Sequence, residues 1–475
     1  MAIYECSVCS HLFDEEKEGK KWADQPSDWL CPICESPRSY FSLQGQQPQQ
    51  EDPLEPSEPQ RTGSVSPDDY LSEWRRQSDS LETRMADIHE IARTGESIHE
   101  PMRSRKPVVS WDDILVKGAQ LAKIPLNEDD LVNAETTIGP RADKPLVIET
   151  PVYVTHMSFG ALSKRVITAL AKGSALAGTA MCSGEGGILP ESIENAHKFI
   201  FEYVPNEYSV TEENLKRADA IEIKIGQSAK PGMGGHLPAA KVTDEIATLR
   251  GRPQGSDIVS PSRFHDIRNR DDLRKKINML RDKSGGKPIG VKLAAGNIEA
   301  DLEVALYAEP DFVTIDGRAG ATGSAPKFVK DSTSIPCIFA LYRARKFLDE
   351  KGARDVSLLI TGGLRISSDF AKAIALGADA IAIGTAALMA CGCQQHRICG
   401  TGNCPVGITT HDPNLTQRLE IDESARRLSN FLRVSTQELK TFARLTGNDD
   451  VHKISMLDIC TTNSEISDHT DIEHV

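Results

Sequence analysis

The feature that most constrains the fold is an alternation that runs through most of the chain. Short apolar runs recur: PLVIETPVYVTHM, AIEIKIG, IGVKLAA, DFVTID, VSLLITGG and AIAIGTAAL. Several are continuous and β-branched, as parallel strands covered on both faces must be. Between them lie amphipathic helical segments, SKRVITALAKGSALAG, RDDLRKKINMLRDK, IPCIFALYRARKFLDEKG and SDFAKAIALGAD. Repeated β–α units over about 300 residues predict an α/β fold with a closed (β/α)8 barrel; an open doubly wound sheet is the alternative. Most runs end in glycine or polar residues. In a barrel those strand ends form the active-site face.

The 475 residues leave room for smaller units around one barrel. Residues 1–43 read as a small metal domain. Residues 44–70, rich in Gln, Pro, Glu and Ser, hold too few large apolar side chains to fold and read as a flexible linker. Residues 71–145 are expected to form a helical lead-in, 146–410 the barrel with a cysteine segment at 391–408, and 411–475 a helical extension. Aromatic residues are only 5% of the chain, so Leu, Ile, Val and Ala must fill the core. A net charge of −14 repels phosphate backbones and argues against nucleic acid as a partner. No apolar run reaches the ~18 residues of a membrane span, and the start, MAIYECSVC, lacks a signal-peptide pattern. A cytoplasmic location follows as the expectation, and with it cysteines that bind metal rather than form disulfides.

Eight of the eleven cysteines fall in two groups. The first is Cys6-x2-Cys9 and Cys31-x2-Cys34, two knuckles separated by 21 residues. Four thiolates in that pattern suit a tetrahedral iron or zinc. A unit this small also needs a metal to hold it together. The stretch YECSVC…SDWLCPICESPRSYF resembles rubredoxin at Tyr4, Asp28, Trp29, the CPIC knuckle and Phe41. The resemblance implies one iron that carries one electron. The segment between the knuckles is short and charged, EEKEGKK, and leaves zinc open. The second group is Cys391, Cys393, Cys399 and Cys404, four cysteines within fourteen residues.

Glycine clusters stand at the strand ends: MSFGALS, SGEGG, KPGMGG, GRAGATGS, TGGLR and IGTAAL. Glycine turns let backbone N–H groups approach a phosphate or a ring, so six of them on one face point to a large anionic ligand. In order, MSFGALS, GEGG, EIKIGQSAKPGMGG, VKLAAG, GGLR, GTAAL and Cx5Cx4CPVGI resemble the synthase domain of glutamate synthases. The similarity covers about residues 95–475 and is strongest to short, stand-alone proteins of that family. It implies an FMN-containing (β/α)8 barrel that reduces 2-iminoglutarate, formed from 2-oxoglutarate and ammonia, to L-glutamate.

The same resemblance implies roles residue by residue. Met157, Ser158, Phe159 and Gly160 would lie against the flavin. Lys292 would stand near its N1–C2 edge, where a fixed positive charge stabilises the anionic reduced ring. Gly362, Gly363, Gly384 and Thr385 would hold the phosphate, with Thr322 and Gly323 along the same cofactor. Lys224, Gln227, Lys230 and Arg250 match positions near the 2-oxoglutarate site, and a dicarboxylate requires such donors. Glu185, Lys292 and Lys230 are the expected catalytic groups. A helix-end salt bridge is the plainer reading of Arg250, and a turn carboxylate that of Glu185. Cys393, Cys399 and Cys404 match the ligands of a [3Fe–4S] cluster; Cys391 is then extra and keeps a [4Fe–4S] cluster open.

The chain departs from the family pattern at Cys182, Met233 and His236 and in GATG, Gly320 to Gly323, mostly on the substrate side. These departures leave open a different amino acid or 2-oxo acid, such as an N-alkylglutamate. A non-catalytic electron-transfer subunit is the reading from another class. No nucleotide-binding glycine fingerprint is present, so electrons are expected from a protein donor or reductase, through the rubredoxin-type iron and the cluster to FMN. No amidotransferase signature is present, which implies free ammonia or a separate glutaminase subunit. A small-molecule substrate and a homo-oligomer complete the expected partners.

Overall fold

The structure, a computed structural model, describes residues 2–6, 11–26, 29–33, 37–38, 41–43 and 80–475. Cys9, Asp28, Cys34 and the expected linker at 44–70 lie outside the described residues. The chain divides into two compact units, residues 1–98 and 99–475.

In the first unit, Ile3–Cys6 is the central strand of an antiparallel sheet, flanked by Leu12–Asp14 and Phe41–Leu43. Trp22 is buried and gathers the other rings: it stacks on Tyr4 at 4.9 Å and meets Phe13, Trp29 and Phe41 at 5.0, 5.2 and 4.9 Å. Cys6, opposite Phe41 in the sheet, and Cys31 are both buried. The unit ends in one helix, Met85–Thr94, closed by Gly95 in the left-handed conformation.

The second unit is the (β/α)8 barrel that the strand–helix alternation predicts. Its strands are β1 (Val152–His156), β2 (Ala180–Cys182), β3 (Lys198–Tyr203), β4 (Ala220–Lys224), β5 (Ile289–Ala294), β6 (Phe312–Asp316), β7 (Ser357–Thr361) and β8 (Ala380–Ile383). Each pairs in parallel with its chain neighbour, and β8 closes on β1. The apolar runs singled out in the sequence supply six of these strands; β2 and β3 were not among them. Outward side chains such as Val152, Val154, Ile221, Ile223, Val313 and Ile315 pack under the helices. Inward ones, Tyr153, Ala180, Cys182, Ile200, Ala220, Phe312, Leu359 and Ala380, form a separate apolar floor with Ile138, Leu146 and Ile148. The latter three come from a hairpin, Thr136–Ile138 with Leu146–Ile148, that plugs the N-terminal end of the barrel. The run PLVIETPVYVTHM is therefore two strands, parted at Pro151, rather than one.

The expected helical lead-in over 71–145 stops at Thr94. From His99 to Ile148 the described chain is loops, short strands and one 3-10 turn. Pro101, Pro107, Pro125 and Pro140 interrupt it, and proline removes the N–H a helix requires. The extension after 411 is helical as far as Leu445, through the long helix Ile421–Leu445 packed on Lys164–Leu176. Beyond it, Ile459–Thr461 pairs antiparallel with Ile114–Val116 and ties the end of the chain back to the segment before the barrel. No helix among the described residues is long and apolar enough to cross a membrane.

Candidate active site

The period-two alternation that builds the floor also builds the site. On β4 the inward residues after Ala220 are Glu222 and Lys224; on β3 Glu202 follows Ile200; on β5 Lys292 is inward; on β6 Thr314 and Asp316 follow Phe312. Apolar at the floor and charged toward the C-terminal ends, the strands place five carboxylate and amine groups side by side. Lys224, Lys292 and Thr314 stand in one register. The pairing of β1 with β2 shifts between Val154 and His156, a bulge that brings Thr155, His156, Met157 and Ser158 all to the same cavity.

That cavity opens at the C-terminal face of the barrel and encloses about 1460 Å³, its mouth included. Of the residues expected to act there, Met157, Ser158, Glu185, Lys224, Gln227, Lys230, Arg250, Lys292, Thr322, Gly323, Gly362, Gly363, Gly384 and Thr385 line it, together with Cys399. Phe159 and Gly160 stand behind the wall instead. The Phe159 carbonyl accepts from Arg250 Nη2 at 2.6 Å, and the Gly160 carbonyl lies 2.8 Å from His411 Nε2. Gly160 makes room for the arginine: a Cβ there, or at Gly186, would come within 2.8 Å of Arg250 Nη2.

The charges are arranged in two tiers. In the upper tier Lys224 donates to Glu185 in a close ion pair, and Gly235 N donates to the other oxygen of Glu185 at 3.1 Å. Burial opposes ionisation of Glu185, but Lys224 outweighs it and holds the carboxyl at about 2. Burial and the neighbouring Lys224 push the Lys230 amine down to about 8. Arg250 makes no ion pair with a carboxylate among the described residues; its Nε has no partner. A backbone carbonyl replaces the salt bridge that a helix-end arginine would ordinarily form.

Apart from Lys292, the lower tier is not anticipated from the sequence. His156 Nε2 is 2.7 Å from Glu222, and Thr314 donates to the other oxygen of that carboxylate. Lys292 lies 3.9 Å from both Glu202 and Asp316. Burial works against the Lys292 charge, yet Asp316, Glu202 and Glu222 together raise its pKa above the ordinary lysine value. Ser228 donates to Asp316 at 2.6 Å. His156 Nδ1 and Glu202 Oε1 are buried without a hydrogen-bond partner. The signal was available: FEY, EIK, VKL and TID each place a polar or charged side chain at the inward phase of an otherwise apolar strand.

Behind Gly362 and Gly363 a second cleft gathers Arg103, Arg105, Arg318, Arg365 and Arg397. None of Arg103, Arg105, Arg365 and Arg397 forms an ion pair among the described residues. Burial and the facing Arg103 push Arg365 down to about 10. In a chain of net charge −14 this concentration of unpaired arginine is a place for an anion.

The cysteine segment follows β8. Cys399 has Cys393 and Cys404 as electrostatic neighbours, with burial first raising all its cost of ionisation. Cys391 turns elsewhere: it is buried and its Sγ faces the Ser424 carbonyl at 3.7 Å. The end of the segment is pinned to the barrel, because Ser163 N and Oγ donate to the carbonyls of Ile408 and Gly407 at 2.8 and 2.7 Å. Of the departures from the family pattern, His236 lines the cavity and is held 2.7 Å from Asp257. Met233 is partly exposed beside it, whereas Cys182 lies in the buried floor, away from the cavity.

The profile of the conserved region in glutamate synthase matches residues 89–449. The chain belongs to the glutamate synthase family. A glutamate synthase large subunit-like protein of Rhizobium meliloti (strain 1021) is 36% identical over 401 residues, which cover 80% of this chain and 91% of that protein. The archaeal-type glutamate synthase [NADPH] of Thermotoga maritima is 40% identical over 346 residues, 72% of this chain and 66% of its own length. The archaeal glutamate synthase [NADPH] of Methanocaldococcus jannaschii is 41% identical over 323 residues, 67% of this chain and 62% of its own. The chain thus spans less than two thirds of the length of those two relatives. Family membership makes this protein an oxidoreductase of the glutamate synthase type, and the matched region contains every residue of the cavity described above.

Proposed function

We propose that the cavity reduces the imine of 2-oxoglutarate and ammonia to L-glutamate on FMN, with electrons delivered through an N-terminal iron and an iron–sulfur cluster. The observation that carries this reading is the meeting, in one cavity, of a glycine-lined wall and a set of cations suited to a dicarboxylate. Gly323 faces open space, where a Cβ would meet only Ala161 at 3.8 Å. Arg365 is common to the cavity and the arginine cleft, and its guanidinium forms no ion pair among the described residues. Such a wall fits a flavin with its phosphate toward Gly362, Gly363, Gly384, Thr385 and Arg365.

FMN, when bound, supplies hydride to the substrate carbon. The chain's own residues do the rest. Lys292, held charged by three carboxylates, keeps a cation under the cofactor site. Arg250 and Lys224 attract the substrate carboxylates, and Gln227 adds an amide donor at the wall. Glu185, ionised, balances Lys224 and leaves Lys230 unpaired at the reacting end. Leu162, Leu237 and Pro238 add apolar surface to the lining.

The thiols of Cys393, Cys399 and Cys404 influence one another electrostatically, as three ligands of one cluster would, and Cys399 lines the cavity. No group of three or more His, Cys, Asp or Glu that could hold a metal ion is found among the described residues. For the first unit the fit rests on Cys6 and Cys31, both buried, with Cys9 and Cys34 completing the two knuckles in sequence.

Purified protein should release FMN on denaturation and contain iron and acid-labile sulfide; protein with no flavin would sink the reading. Changing Cys6 and Cys9 to Ser should abolish flavin reduction by the physiological donor while dithionite still reduces it. Unchanged reduction by that donor removes the N-terminal entry point. An N-alkylated amino acid would use the same cations, and product analysis separates the two substrates.

A further inference from the structure

Four lysines line the cavity, and three have their amines engaged. Lys224 is bonded to Glu185. Lys241 donates to the carbonyls of Ala161 and Cys399 at 2.8 and 3.2 Å. Lys292 is shared between Glu202 and Asp316. Lys230 alone has neither hydrogen bond nor ion pair for its amine among the described residues, although the residue is only 4% exposed. Its backbone is fixed in the turn after β4, where its N–H donates to the Gln227 carbonyl at 3.2 Å and its own carbonyl accepts from Met233.

Evolution has a simpler use for a cation in such a place, as a carboxylate clamp, but a clamp works best when it is fully charged. Here burial and the adjacent Lys224 bring the Lys230 amine to about 8, so about a tenth of it is free base at pH 7. A desolvated lysine beside a second cation is the arrangement that makes an amine nucleophilic toward carbonyl carbon.

We propose that Lys230 is a covalent catalyst whose amine condenses with the carbonyl of the 2-oxo acid to a Schiff base, which ammonia then displaces to release the 2-imino acid. The proposal rests on the 2-oxo acid reading above and deepens it. Nζ attacks C2, and the C2–O bond breaks. The oxygen leaves as water with one proton of the amine and one taken from solvent, and the cationic C2=Nζ iminium forms. Ammonia adds to that carbon, two of its protons pass to Nζ, the C2–Nζ bond breaks as the primary imine departs, and the lysine ammonium returns one proton to solvent. No oxidant or reductant is consumed, so the sequence is complete before hydride transfer. The ionised Glu185 stands where it stabilises the cationic iminium. An iminium is more easily attacked by ammonia than the parent ketone, which gives the covalent route its advantage.

The test uses the oxidised holoprotein with 2-oxoglutarate and cyanoborohydride, no ammonia and no electron donor. Peptide mapping should find the reduced secondary-amine adduct on Lys230 and not on Lys224, Lys241 or Lys292. Excess ammonium should suppress it. Its rate should fall about tenfold per pH unit below about 8. Lys230→Arg keeps the charge, so it should still bind 2-oxoglutarate in equilibrium dialysis yet give no adduct. Wild-type protein that binds 2-oxoglutarate without labelling Lys230 overturns the Schiff base alone. Equal labelling in Lys230→Arg also overturns it. Absence of binding in dialysis defeats the substrate reading, and the proposal with it.

Discussion

Single residues carry more of this site than their types suggest. Gly186 and Gly160 matter because of Arg250, whose guanidinium occupies the space a Cβ would need. Gly186→Ala should therefore move the arginine, raise KM for the 2-oxo acid severalfold and leave flavin content unchanged; loss of flavin would contradict that assignment. Glu185 gives a pH signature. Its pKa falls from 4.5 to about 2 on folding, so its contribution to stability is complete above pH 4.5 and is lost as the pH drops toward 2. Glu185→Gln should flatten the acid limb of the unfolding curve over that window, as read by circular dichroism. His156 is a third case. His156→Leu leaves Glu222 and Glu202 buried with one fewer partner and should cost about 3–5 kcal/mol in denaturant unfolding. The Lys–Gln–Lys set and Glu185 were legible because motifs carry them. The His156, Glu202, Glu222 and Asp316 tier was not: strand parity marks Glu202, Glu222 and Asp316 as inward one strand at a time, but only closure of the barrel brings the four strands together.

At the level of elements, the apolar runs and their parity account for the barrel, and six strands could be read directly. β2 and β3 were harder: AMC is three residues long, and KFIFEY carries a lysine and a glutamate that hide its apolar face. The later part of the expected helical lead-in, up to residue 145, misled in the other direction. Prolines and the closing hairpin decide its course. The joint between helix Lys164–Leu176 and the cysteine segment runs through Ser163, which caps the helix by accepting from Val166 N at 3.3 Å while donating to Gly407. Ser163→Ala should lower stability by about 1–2 kcal/mol and should also perturb the electron paramagnetic resonance spectrum of the cluster. A change in stability without any spectral change would confine Ser163 to the helix.

For the whole molecule, the division at residue 98 leaves the N-terminal cysteines in one unit and the cavity in the other. The unit 99–475 contains the cavity, the arginine cleft and the second cysteine group. It should fold alone, keep its flavin and accept electrons from dithionite, while losing reduction through the N-terminal cysteines. The central claim is that the reduced protein turns 2-oxoglutarate and ammonia into glutamate. Stopped-flow mixing of the dithionite-reduced full chain, freed of excess reductant, with both compounds tests it most directly. The account predicts reoxidation of the flavin with one glutamate formed per flavin, and no reoxidation when either compound is omitted. A flavin that stays reduced with both present, or reoxidises without glutamate, would contradict it.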